Sequence, residues 1–364
     1  MEKGMKSPYS LGYTLKWPYY FLRPSVKNHS GIGKIPVEQY LQPEYTGQNV
    51  RIIFFGDVMV MHGDTIPKLC PELLKLITDA DLVIGNCEAP VGDHGINPGI
   101  RYKFDYYMPQ AYLAGIIDQL GEKSPPIFLS TANNHSGDRG IGAYLKTPAL
   151  LSELGVTPLG QWHAHDAPLK VYDFQGTRIG MAAWTHWMNN DVFKQSPGVN
   201  RPLQIETAHW HRIRREYDID LLIGMPHWEY EWQHYPQSKT RDFARILIDS
   251  MGFDLVVGSH PHTLFPMEQF RGGLCVYSLG NLVGQGVAWS AKIVSVLEVR
   301  VAIQSSSPRP ILYYRVHFFY QRQNESGLFI DPLTSLYGTE STQAHNRIAM
   351  LYEYENPVSV GRLA

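Results

Sequence analysis

The sequence predicts an α/β domain whose buried strands are covered by helices, and three observations carry that expectation. Short apolar runs recur along the chain, amphipathic segments separate several of them, and most runs end in a glycine or polar turn. Runs that are apolar throughout are expected where both faces of a strand are covered, as in parallel sheets flanked by helices.

The runs occupy residues 51–55, 82–84, 127–129, 179–183, 221–223, 255–257 and 274–277, with helical patterns over 71–78, 147–154 and 239–251. Further along, 293–301 and 311–320 alternate like hairpin strands around the turn-rich stretch 305–310, and a second sheet is expected to accommodate them. Residues 1–49 are rich in Tyr, Pro and Gly without a sustained period, and read as an irregular arm that Tyr19, Tyr20 and Phe21 pack onto the domain. The expected organisation is therefore an arm over 1–49, a main domain over 50–325 and a C-terminal extension over 326–364. A length of 364 residues would by itself suggest two domains, but no linker composition marks a boundary.

The formal net charge is −2 and no long run of like charge occurs, which argues against a nucleic acid or an anionic membrane as partner. Cys70, Cys87 and Cys275 are odd in number, far apart and set among apolar residues, so reduced thiols and a reducing compartment are expected. The first thirty residues contain no continuous apolar stretch, so neither a signal peptide nor a spanning helix is expected, and the expected location is cytoplasmic.

The chemistry lies at the carboxyl end of each run. The first ends in Gly56-Asp57, the second in Gly85-Asn86-Cys87-Glu88, the third in Ala132-Asn133-Asn134-His135. The fifth ends in Met225-Pro226-His227-Trp228, the sixth in Gly258-Ser259-His260-Pro261-His262, the seventh in Ser278-Leu279-Gly280-Asn281. Each alone has an ordinary reading: Asp57 as a helix cap, Asn133-Asn134 as a turn, His227 as a core histidine. Together they place oxygen and imidazole donors after almost every strand, at the edge where open α/β sheets bind ligands. His260 and His262, two apart in extended chain, would project to one side and share a site. Mixed carboxylate, amide and imidazole donors without thiolate favour one or two ions of Mn, Fe or Zn over Ca or a structural zinc. Such ions acidify a bound water and polarise the scissile group, while a nearby protonated His serves the leaving group. No nucleophile elbow, Walker loop or dinucleotide fingerprint is visible.

The ordered set Gly56-Asp57, Asn86-x-Glu88, Asn133 to Gly140, His227 to Glu231, Gly258 to His262 and Tyr277 to Asn281 resembles the bacterial capsule-synthesis CapA/PgsA family, which is linked to poly-γ-glutamate. The resemblance runs from about Arg51 to Gly284. The family looks like a branch of the calcineurin-like metallophosphoesterases, which implies a four-layer α/β/β/α sandwich around a dinuclear metal centre. It further implies Asp57, Glu88, Asn134, His227, His260 and His262 as metal ligands, with Glu88 as the bridging acid. His135 would assist the leaving group and Asp138 would orient His135. Three positions depart from the pattern: Met59 stands where a ligand histidine is usual, with His62 as a substitute; Glu229 replaces a glycine after His-Trp; and Arg139 replaces an aromatic residue.

Two functions are compatible with this pattern. One is a metal-dependent hydrolase acting on a phosphoester or a γ-glutamyl-like amide, with Arg139, Glu231 and Asn281 binding substrate. The other is a non-catalytic binding or assembly protein of the same fold, active in polymer synthesis. His163, His165, His186 and most of Trp162, Trp184, Trp187, Trp228 and Trp232 are expected to be loop or packing residues.

Overall fold

In the computed structural model, which describes residues 7–61, 64–92, 106–193, 196–303 and 310–355, two sheets pack face to face between helices. The first sheet runs Val156–Leu159, Ile127–Ser130, Leu82–Cys87, Asn49–Val58, Ile293–Ala302, Ile311–Asn324, Gly327–Pro332 and Lys68–Leu69 in spatial order. Its first four strands are parallel, and Ile293–Ala302 then turns the pairing antiparallel against Asn49–Val58. The second sheet runs Lys170–Phe174, Thr177–Thr185, Leu221–His227, Leu255–Val257, Leu274–Val276 and Met267–Gln269, with the four inner strands parallel.

Side-chain alternation explains the layering. Ile52 and Phe54 join Ile84 and Phe128 in a core shared with Ala182, Ile223 and Leu255 of the other sheet. Ile53 and Val83 point the opposite way, into a second core with Leu73, Ile77, Leu113, Ile116 and Leu151 of the covering helices. On the far side, Trp210 meets Phe253 edge-on at 4.7 Å. The architecture is thus a four-layer α/β/β/α sandwich.

Three expectations change. The strands Ile293–Ala302 and Ile311–Asn324 do not open a second sheet but extend the first, because Val296 to Ala302 pair directly with Asn49 to Phe55. The stretch expected to be an irregular arm contains the helix Leu11–Leu22, despite Gly12 and Pro18, and the strand Glu38–Tyr40 pairs with Ile311–Asn324. Packing against the domain outweighs the weak helix propensity there. Past residue 326, Gly327–Pro332 is another strand of the first sheet and Gly338–Leu351 a helix. Among the described residues no helix is long and apolar enough to cross a membrane, and Cys70, Cys87 and Cys275 are buried and unbridged.

Candidate metal centre

The strand order brings the donor-bearing ends together. Asp57 sits in register with Asn86 on one neighbouring strand and with Asn281 on the other. This alignment needs Gly56: a Cβ there would collide with the carbonyl oxygen of Gly280, to which Asp57 N–H is joined at 3.0 Å. The second sheet supplies His227 from the last position of Leu221–His227, bridged to Ser259 on the loop that carries His260 and His262.

That loop is not extended. His260 has φ 98° and His262 φ 57°, and on the facing loop Glu229 and Trp232 have φ 69° and 58°. Left-handed backbone at side-chain-bearing residues is costly and concentrates at functional sites. The two imidazoles therefore converge because of a strained turn, not because of a two-residue extended repeat; their centroids are 6.0 Å apart.

The donors meet in overlapping groups. Glu88, His227 and His260 have ligand atoms within 4.8 Å of one another, as do Asp57, Glu88 and His262, and also Glu231, His260 and His262. Glu88 belongs to the first two groups, with Oε1 3.5 Å from His227 Nε2 and 3.6 Å from His262 Nε2. Asn134 adds its amide oxygen, 2.9 Å from His227 Nε2. Supporting contacts fix the set: Asn86 donates to Asp57 Oδ1 at 2.7 Å, His227 Nδ1 is 2.8 Å from Ser259 Oγ, and His262 Nδ1 is 2.9 Å from Asn281 Oδ1.

The electrostatics fit a cation. Neither oxygen of Glu88 has a hydrogen-bond donor, although the residue is fully buried. Burial, and then the charge of Asp57, push its carboxyl well above the usual range. An ionised carboxylate in that position is tolerated only with a positive partner. Burial and the neighbouring histidines hold His227 and His260 well below the ordinary histidine value, so both keep lone pairs. At His262 burial acts in the same direction, but the hydrogen bond and charge of Asp57 outweigh it and raise the value.

Beside this cluster His135 Nδ1 lies 2.7 Å from Asp138 Oδ2, which also accepts Tyr106 N–H at 2.7 Å. The pair is buried, and the Tyr106 ring meets His135 edge-on at 4.2 Å. With Nδ1 on Asp138, the other ring nitrogen, Nε2, lies 3.5 Å from Asn189 Nδ2.

Not every expected site residue joins the cluster. Arg139 is exposed, in left-handed backbone, with its guanidinium 5.4 Å above the Tyr107 ring. Asn281 touches His262. Glu231 lies among the histidines and accepts a hydrogen bond from Trp17 Nε1. Glu229 is buried and accepts Gln237 N–H at 2.8 Å. Met59 lines the cavity beside the centre; His62 lies outside the described residues. His163 and His165 are exposed, His186 accepts Trp184 Nε1–H at 3.1 Å, and Trp184 and Trp228 are fully buried.

Residues not foreseen also reach the site. Tyr9 OH is 2.7 Å from His260 Nε2, and Tyr13 OH donates to the Glu231 carbonyl. The signal was present as Tyr9, Tyr13, Trp17 and Phe21 at spacings of four, one face of a helix. Asn189, 3.5 Å from the His135 ring, lies just past a strand end in Trp187-Met188-Asn189, where no motif marks it.

The chain is similar to known proteins. PGA biosynthesis protein CapA of Bacillus subtilis is 29% identical over 260 residues, covering 66% of this chain and 64% of that protein. Capsule biosynthesis protein CapA of Bacillus anthracis is 27% identical over 210 residues, covering 50% of this chain and 49% of that one. The chain thus spans between about half and just under two thirds of these relatives' length. Calcineurin-like phosphoesterase YfkN of Bacillus subtilis superposes with a TM-score of 0.46 at 12% identity, over 83% of this chain and 96% of that chain. The profile of the bacterial capsule synthesis protein PGA_cap matches residues 51–285, which include every donor of the cluster, and the chain belongs to that family.

Proposed function

We propose that the protein is a metal-dependent hydrolase that uses water to cleave a phosphoester or a γ-glutamyl-like amide. The observation that supports this most is Glu88: a buried carboxylate without a donor, common to two ligand groups, is what a pair of divalent ions requires. Asp57, Glu88, Asn134, His227, His260 and His262 would hold them, and Mn, Fe and Zn suit such oxygen and nitrogen donors. When bound, the ions supply positive charge that acidifies a water and polarises the scissile group. The chain's own residues do the rest. His135 delivers a proton to the leaving group from Nε2, while Asp138 holds the ring by Nδ1. Asn86 and Asn281 keep Asp57 and His262 in place.

Protein loaded with Mn or Fe is expected to hydrolyse a generic phosphodiester or a γ-glutamyl peptide. Inertness toward both classes under every metal would overturn the reading. One observation favours a non-catalytic assembly role instead: Met59, buried at the cavity, offers no hard ligand where the resemblance implies a histidine. Elemental analysis separates the two, with two equivalents of metal expected for the enzyme and none for the assembly protein.

A further inference from the structure

The helix Leu11–Leu22 sorts its side chains by face: Leu11, Leu15, Tyr19 and Leu22 are exposed, whereas Tyr13, Trp17 and Phe21, continuing from Tyr9, turn toward the metal centre. Between helix and centre lies a cavity of about 610 Å³, within the range of small-molecule sites. His135, His262 and Glu231 line it. Trp17, Phe21 and Trp232 line it as well, with the Trp232 ring 5.1 Å from that of His262 and Trp17 hydrogen-bonded to Glu231. Phe21 meets Trp232 edge-on at 5.0 Å and stacks on Trp17 at 5.2 Å, so the three rings form an apolar wall.

Charge is one-sided here. Among the described lining residues there is no Lys or Arg, and the single carboxylate, Glu231, already accepts Trp17 Nε1–H. A substrate bearing carboxylates or phosphates beyond the group held at the metal centre would meet this wall without a counter-charge, and desolvation opposes its entry. An aromatic ring meets faces and edges suited to it. Trp232 supplies a further sign of a ligand: it is 5% exposed, and its buried indole N–H has no acceptor.

We propose that the N-terminal helix is a wall of the substrate site, selecting compounds with a compact aromatic group attached to the reacting phosphoryl or acyl centre. This rests on the hydrolase reading for the identity of that centre, but it concerns binding and is testable without turnover. The full chain loaded with Mn is titrated calorimetrically with phenylphosphonate, methylphosphonate and a γ-glutamyl tripeptide, in the wild type and in His135→Ala. Phenylphosphonate is expected to bind about tenfold tighter than methylphosphonate in both proteins, and the tripeptide no tighter than methylphosphonate. Trp17→Ala should bring the phenyl-to-methyl ratio toward one, with Phe21→Ala as a second variant should the first not fold. Equal wild-type affinities, a tighter tripeptide, or a ratio unchanged by removal of either ring would overturn the proposal. Absence of hydrolysis with the ratio intact would count against the hydrolase reading alone.

Discussion

Glu88 illustrates how one side chain can matter more than its neighbours. Both its oxygens are out of water without a donor, so the residue is costly unless a cation lies between its histidine neighbours. Glu88→Gln is expected to lower bound metal from two equivalents to one or none, read by elemental analysis after gel filtration; an unchanged content would remove Glu88 from the ligand set. His135 differs in that its ring is held by Asp138 and it belongs to none of the ligand groups found among the described residues. His135→Ala should lower kcat by about 10²–10⁴-fold with metal content intact. Asp138→Asn should cost about 10–100-fold through loss of ring orientation. Equal turnover in either variant would show that the 2.7 Å pair is structural. At this scale the sequence was informative for donors placed after strands, since Asp57, Glu88, Asn134, His227, His260 and His262 all reach the cluster. Arg139, by contrast, lies over the Tyr107 ring from left-handed backbone, a placement that no local pattern marks.

Elements decide whether those residues meet. Asn49–Val58 is central in the first sheet, flanked by Leu82–Cys87 and Ile293–Ala302, and its end approaches Gly280 so closely that no side chain fits at Gly56. Gly56→Ala should destabilise the fold by about 1–3 kcal/mol in denaturant titration and reduce metal uptake. Native stability with full metal content would refute that role. At the other end of the same pairing, Glu298 joins Arg51, Arg300 and His317. Burial alone would raise its carboxyl, but hydrogen bonds from His317 and Arg51 outweigh it and hold the group far below its ordinary value of 4.5. A depressed folded-state value means that the native state binds fewer protons than the unfolded chain. The stabilisation is complete above pH 4.5 and is lost as pH falls below it toward the folded value. Glu298→Gln should therefore lower stability near neutrality by about 2 kcal/mol, with the gap to wild type shrinking under acid. A gap that widened under acid would contradict the sign. Strand positions were legible because apolar runs over three to five residues leave few alternatives, and Pro71–Thr78 appeared over the residues expected. The helix Leu11–Leu22 was not, since Gly12 and Pro18 mask a four-residue aromatic repeat whose partner surface, Glu231 and Trp232, lies more than two hundred residues away.

Over the whole molecule, the two sheets are held by one interior while their loops converge at a single edge. Which strands lie adjacent is a matter of long-range pairing, and local pattern does not encode it. The hairpin Ile293 to Asn324 shows this: its alternation is correct, but only the pairing with Asn49–Val58 assigns it to the first sheet. The same limit hides the cavity, whose lining combines Tyr9, Trp17 and Phe21, before the family-matched region, with residues such as His135, Trp232 and His262 within it. Chelation should lower the thermal midpoint, because ions that bind only the folded state stabilise it by mass action; an unchanged midpoint would mean that no ion was bound. The central claim, that distant strand ends share cations, is tested most directly by an anomalous-difference map from crystals grown with Mn. Two peaks are expected, both bordered by Glu88, one toward His227 and His260 and the other toward Asp57 and His262. No peak there, or peaks only at surface carboxylates, would contradict it.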